Sequence, residues 1–188
     1  MNLILASASP RRRELLSQFN IPFTIDPAAG PENPPADTDP AGTVAALSAA
    51  KAAEAAARHP GAVIIGADTV VALDGKILGK PSCPEDARNM LSALSGRDHR
   101  VFTGVTVRRD NTVLTETEET LVRFRPLTGR EISAYTATGE PMDKAGAYGY
   151  QGLASLFVER IEGDYFNVVG LPLCRLGRML EALGVTLL

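Results

Sequence analysis

The chain has 188 residues, 45% of them hydrophobic, with 19 Lys and Arg against 22 Asp and Glu and a formal net charge of -3 at pH 7. That length suits one domain, or a single fold with two lobes, and supports a core that needs no covalent staples. The mixed charge excludes the broad basic excess of nucleic-acid and membrane-surface binders, so any positive site must be local.

Cys83 and Cys174 lie far apart with no paired spacing, and Met1 leads into the short apolar run Leu3-Ile4-Leu5 rather than a signal peptide. No apolar stretch approaches the roughly 18 to 20 residues of a membrane span. A reduced, soluble, cytoplasmic protein is expected. His59 and His99 stand alone, which points to ordinary surface or loop positions rather than a histidine metal site.

The opening "LILAS" reads as a short buried strand, and Ser9-Pro10 as a helix start, with serine as cap and proline at the first helical position. The helix should run from Pro10 to about Phe19. Its first turn carries Arg11, Arg12 and Arg13, where the helix dipole favours anions. Arginines there cost a few tenths to about 1 kcal/mol each unless solvent or an anion offsets them. Successive helical residues turn by about 100°, so the three fan over roughly 200° and cannot all serve one site.

From Pro27 to Pro40 the prolines and acids, Glu32 among them, predict a long extended loop. An alanine-rich helix follows from about Ala41 to Arg58. Within it Val44, Leu47 and Lys51 are spaced i, i+3, i+7, which puts Lys51 in the apolar stripe. It either points inward or lays its stem on the core with its ammonium in solvent. "AVIIGA" is a buried strand that leaves Asp68 of "GADT" at a strand end. That carboxylate is either a catalytic group, paired or cation-bound, or a turn-forming aspartate.

"TVVAL" and "KIL" form a hairpin across Asp74-Gly75, Lys80 follows in a loop, and a helix runs near Pro84 to Leu94. "RVFTGVTVRR" and "TVLTETEETLVRF" are two long strands joined at Asp110-Asn111. Thr128 and Glu131 form the S/T-x-x-E capping box of a short helix to about Ala137. "SLFVERI" and "YFNVVGL" read as a hairpin around Glu162-Gly163-Asp164. Pro172 opens a last helix that Gly184 ends. The pattern is mixed α and β, without repeats, heptads or linkers.

Familiar nucleotide and hydrolase motifs fail. Gly75 to Pro81 has the wrong spacing for a P-loop and proline where its hydroxyl belongs, and G-x-G-x-x-G, H-E-x-x-H and G-x-S-x-G are missing. What remains is an arginine pair at a helix N-terminus, an inward Lys51, Lys80 near Asp68 in sequence, and Glu32 in a long loop. Cations beside carboxylates suit a polyphosphate bound with a divalent metal: lysines and arginines neutralise phosphate oxygens while the acids hold Mg²⁺ or Mn²⁺.

These residues lie in segments that resemble the Maf (septum-formation inhibitor-like) nucleoside triphosphate pyrophosphatases: "LILASASPRRRELL", "LSAAKA", "IIGADTVVALDGKILGKP", "LSGRDHRVFTGV", "DKAGAYGYQG" and "GDYFNVVGLPL". The resemblance covers almost the whole chain and implies a single domain over residues 1–188. It implies an α/β fold related to the inosine-triphosphate pyrophosphatases, with a mixed elongated sheet, flanking helices, and two lobes around a cleft, commonly as a homodimer. The implied reaction cleaves the α–β phosphoanhydride, releasing a nucleoside monophosphate and pyrophosphate.

By the same resemblance Asp68 is the catalytic acid that takes the proton of the attacking water, and Glu32 joins it near the metal. Ser7, Arg12, Lys51 and Lys80 match positions associated with the triphosphate, whereas Arg11, Thr69 and Gln151 match those linked to substrate choice. "KAGAYGYQG" resembles the branch acting on dTTP and UTP rather than the one acting on 7-methyl-GTP. Gln151 suits that choice, since a primary amide can accept from N3–H and donate to O4 of uracil or thymine, an edge that cytosine presents with reversed polarity. Its alternative role is to tie down the loop through Gly146, Gly149 and Gly152. The rival readings are a pyrophosphatase for 7-methyl-GTP or other modified nucleotides, and a non-catalytic nucleotide-binding regulator of cell division. A nucleic-acid binder fits worst, because a basic stripe with interleaved aromatics is missing.

Overall fold

The computed structural model describes residues 2–30 and 38–188. Seven strands form one mixed sheet in the order β2-β1-β3-β5-β6-β7, with β4 paired to β3. They are β1 (Leu3–Leu5), β2 (Thr24–Ile25), β3 (Val63–Leu73), β4 (Lys76–Leu78), β5 (Asp98–Arg109), β6 (Thr112–Phe124) and β7 (Val158–Glu162). The helices are α1 (Pro10–Ser17), α2 (Pro40–Arg58), α3 (Pro84–Leu94), α4 (Gly129–Ala137), α5 (Tyr165–Val169) and α6 (Leu173–Ala182). The chain divides into two compact units, one of Met1–Asp68, Thr103–Glu118 and Gly170–Leu188, the other of Thr69–Phe102 and Glu119–Val169.

In the first unit β1 pairs in parallel with both β2 and β3, Ile4 lying opposite Thr24 and Ile64. Both α1 and α2 begin as their sequences dictate. The Ser9 hydroxyl accepts from the Arg12 amide, the Asp39 carboxylate accepts from the Gly42 amide, and a proline opens each helix. Ile4, Ala52, Ala55 and Ile64 are fully buried together, so the small residues of α2 let the helix lie close on the strands. Two glycines make that approach closer still. A Cβ on Gly66 of β3 would stand 2.4 Å from the Ser48 carbonyl oxygen, and one on Gly104 of β5 would stand 2.2 Å from that of Val44.

The second unit packs α3 and α4 around Leu91, Leu94, Phe124, Tyr135, Tyr148 and Phe157. The capping box of α4 is present, with Thr128 Oγ1 accepting from the Glu131 amide while Glu131 accepts from that of Thr128. "YFNVVGL" is not the strand its apolar run suggests. Asp164 accepts from the Phe166 amide at 2.7 Å and turns the chain into α5, while β7 pairs antiparallel with β6, Ile161 opposite Val122.

The histidines also depart from expectation. His59 is half-buried with Nε2 2.7 Å from Asp26 Oδ2, and His99 is only 2% exposed. His99 Nε2 lies 2.7 Å from the Tyr148 hydroxyl, and both rings meet Phe124 edge-on. Burial pushes the His99 pKa down to about 4, with Asp98 and the Arg97 backbone opposing it in smaller measure. Above pH 6.5 the ring is neutral whether folded or unfolded. Between 6.5 and 4 only the unfolded chain takes up the proton, so stability is lost as pH falls through that window, by about 2 to 3 kcal/mol between pH 7 and 4.5. Urea unfolding at both pH values should therefore show a smaller pH-dependent loss in His99→Gln than in the native chain. Equal losses in the two proteins would contradict the assignment. Cys83 and Cys174 are exposed and unbridged.

Candidate active site

Within the first unit Arg12 of α1, Lys51 of α2 and Asp68 of β3 come together. Strand β3 runs unbroken from Val63 to Leu73, because the β-branched Thr69, Val70 and Val71 continue the extended backbone. Asp68 therefore sits within a strand, not at its end, and forms no turn. The phase of α2 that buries Val44 and Leu47 carries Lys51 toward the same strand, and Lys51 Nζ donates to Asp68 Oδ1 at 2.5 Å. The two side chains are 16% and 10% exposed. Of the two readings of this lysine, the inward one holds.

Arg12 supplies the second cation. Its Nε donates to the Gly170 carbonyl at 2.7 Å, and Nη1 donates to the carbonyl of Ala67, the residue before Asp68, at 2.9 Å and to Ser7 Oγ at 3.2 Å. Ser7 is 7% exposed and its hydroxyl also accepts from the Ser9 amide. A planar guanidinium thus spans β3, the end of β1 and the residue that begins the last segment of the unit. Arg11 is half-buried beside it, whereas Arg13 points to solvent.

Thr69 follows Asp68 on β3, half-buried, and belongs to the second unit, as do Lys80, exposed just beyond β4, and Gln151. Gln151 stands in an exposed turn closed by the Gly152 amide on the Gly149 carbonyl at 3.1 Å. It does not tie down its loop; Tyr135, Glu140 and Lys144 do. Sequence alone gives none of the three a role, although Lys144 stands in "DKAGAYGYQG". The only signal is Gly149 and Gly152 flanking Gln151, glycines that mark a close approach to something.

Glu32 lies outside the described residues. Among those described, no group of three or more His, Cys, Asp or Glu side chains is placed to hold a metal. Magnesium commonly takes only one or two protein carboxylates and completes its shell with waters and phosphate oxygens. Asp68, the carboxylate the described residues place beside Lys51, therefore suits a cation shared with a polyphosphate. Nor, among the described residues, is any helix long and apolar enough to cross a membrane.

The family profile described as Maf-like protein matches residues 2–183. The chain belongs to the Maf-like family. Full-length relatives agree. The Maf-like chain is 52% identical to the dTTP/UTP pyrophosphatase of Moorella thermoacetica over 97% of its own length and 95% of the relative's. It is 50% identical to the proteins of the same name from Symbiobacterium thermophilum, over 97% of this chain and 94% of that one, and Bacillus pumilus, over 98% and 97%. Among solved structures, a nucleoside-triphosphatase / dITP/XTP pyrophosphatase from Mycobacterium abscessus aligns over 97% of this chain and 98% of that one, at 13% identity and a TM-score of 0.47.

Proposed function

We propose that this Maf-like protein hydrolyses dTTP and UTP to the nucleoside monophosphate and pyrophosphate, removing them from the nucleotide pool. The observation that carries the reading is the Lys51–Asp68 pair, held beside Ser7 and Arg12 in a chain about half identical to relatives named for that reaction. Water attacks the α-phosphorus, Asp68 accepts its proton, and the bond to the bridging oxygen breaks with pyrophosphate as leaving group. Ser7, Arg12, Lys51 and Lys80 hold the triphosphate and stabilise the charge that builds on the leaving group. The N-terminus of α1 adds amides that suit an anion, which gives Arg11 and Arg12 of its first turn a ligand.

A divalent cation held by Asp68, Glu32 and phosphate oxygens would neutralise charge and acidify the attacking water. Arg11, Thr69 and Gln151 select the nucleotide, Gln151 through its two-point contact with O4 and N3–H. A homodimeric, cytoplasmic protein that binds neither nucleic acid nor membrane is part of the same proposal and rests on the family resemblance.

The test is a panel of dTTP, UTP, CTP and 7-methyl-GTP with Mg²⁺ or Mn²⁺, reading monophosphate and pyrophosphate. Preferred release from dTTP and UTP is expected. Preference for 7-methyl-GTP would move the chain to the other branch, and nucleotide binding without hydrolysis would make it a regulator.

A further inference from the structure

A glutamine can discriminate between base edges only if its backbone is held to within about half an ångström, since a two-point hydrogen bond tolerates little displacement. Gln151 is exposed, and its side chain makes no hydrogen bond among the described residues. Its backbone is another matter. Residues 149–153 form a small arch with Tyr150 and Gln151 at the crown, and both feet rest on one carboxylate.

At the first foot the Gly149 amide donates to the Tyr135 hydroxyl at 3.3 Å, and that hydroxyl donates to Glu140 Oε1 at 2.9 Å. At the second, the Leu153 amide donates to Glu140 Oε2 at 3.2 Å. The support is rigid. Tyr135 is 4% exposed on the inner face of α4, and burial together with the bond to Glu140 pushes its phenol pKa upward, so it remains a donor. Glu140 opens the 3-10 turn Glu140–Asp143, and Lys144 Nζ donates to the Glu140 carbonyl at 2.7 Å and to Asp143 Oδ1 at 2.6 Å. That clamp lays the lysine stem under the arch. A Cβ at Gly149 would stand 2.5 Å from Lys144 Cε, and one at Gly152 would stand 2.2 Å from Glu140 Oε1. A side chain at either position would have to push aside the Lys144 stem or the Glu140 carboxylate.

We infer that Glu140 is a positioning residue for base selection: its carboxylate, shared between Tyr135 and the Leu153 amide, sets the arch from which Gln151 reaches the pyrimidine edge. The inference rests on the proposed role of Gln151 as base reader. The Glu140 carboxylate is already engaged by Tyr135 and the Leu153 amide, so its part is to hold the arch and not to bind the nucleotide. Removing it releases both feet while Ser7, Arg12, Lys51 and Asp68 stay in place, so the damage falls on discrimination and on KM more than on the chemical step.

The experiment measures kcat and KM for dTTP and CTP in the native protein and in Glu140→Ala, Glu140→Gln and Gln151→Ala. Glu140→Ala should lower the dTTP:CTP ratio of kcat/KM by about tenfold, mainly through KM for dTTP, with saturated kcat within about threefold. Glu140→Gln keeps the volume and one carbonyl acceptor for the Leu153 amide, so it should fold normally and lose less; it supplies the test if Glu140→Ala fails to fold. Gln151→Ala should lose the discrimination outright. If Gln151→Ala discriminates poorly while both Glu140 variants keep the native ratio, the positioning role is wrong and the base reader stands. Native discrimination in Gln151→Ala would remove the base reader and the inference with it. A fall in kcat equal for both nucleotides would mark Glu140 as merely structural and also overturn the inference.

Discussion

Asp68→Asn is expected to lower pyrophosphate release from dTTP and UTP by about a thousandfold, within the range that a positioned general base supplies. The substitution is nearly isosteric, and its effect on the fold should be small for a specific reason. The Lys51 ammonium donates to Asp68 Oδ1, and the amide oxygen of asparagine can take the same bond. What asparagine cannot do is accept a proton from water at neutral pH or neutralise a cation. Thermal unfolding should therefore stay within a few degrees of the native midpoint while turnover collapses, and nucleotide binding should persist. Turnover within tenfold of the native rate, measured on protein free of contaminating phosphatase, would remove Asp68 from the chemical step.

Much of this arrangement is legible in the chain because it depends on local rules. Caps at Ser9 and Thr128 fix where helices start whatever surrounds them, and the spacing of Val44, Leu47 and Lys51 fixes which face of α2 the lysine occupies. Helix phase puts Lys51 in the apolar stripe, yet it cannot say whether its ammonium turns inward or to solvent, nor what it meets. Its partner lies 17 residues away, on a strand that extends well past the apolar run that predicts it. An aspartate after a glycine and an alanine looks like a turn, and the continuation of β3 through it depends on the neighbouring strands. The "YFNVVGL" segment fails in the opposite direction: β-branched and aromatic residues suggest a strand, and one capping carboxylate makes it a helix. The arginines of α1 are separable in sequence only as a fan. That Arg12 reaches the carbonyls of Ala67 and Gly170 is hidden there, because backbone acceptors leave no mark in sequence.

Gly104→Ala is expected to be among the most damaging single-methyl additions in the chain. The new Cβ would stand 2.2 Å from the Val44 carbonyl oxygen and 2.4 Å from its carbon, both backbone atoms of α2 that cannot rotate aside. Either β5 or the helix must move by the better part of an ångström. Forced overpacking of this kind costs about 3 kcal/mol, which for a chain of this length is roughly 6 to 12 °C in Tm. The displacement should also reach the site, because Lys51 lies two turns along α2 from Val44 and its bond to Asp68 tolerates little movement. Gly66→Ala, whose Cβ would meet the Ser48 carbonyl oxygen at 2.4 Å, should behave alike from the β3 side. The control is Gly129→Ala: a Cβ there meets nothing within 4 Å, and the residue begins α4, so the change should be neutral or stabilise by a few tenths of a kcal/mol. Calorimetric unfolding of the three variants, with turnover on dTTP measured well below each midpoint, separates lost stability from a displaced Lys51. A Gly104→Ala protein with native Tm and native turnover would mean that α2 does not lie on the strands at backbone contact, and the close helix–strand approach could then no longer be what brings Lys51 to Asp68.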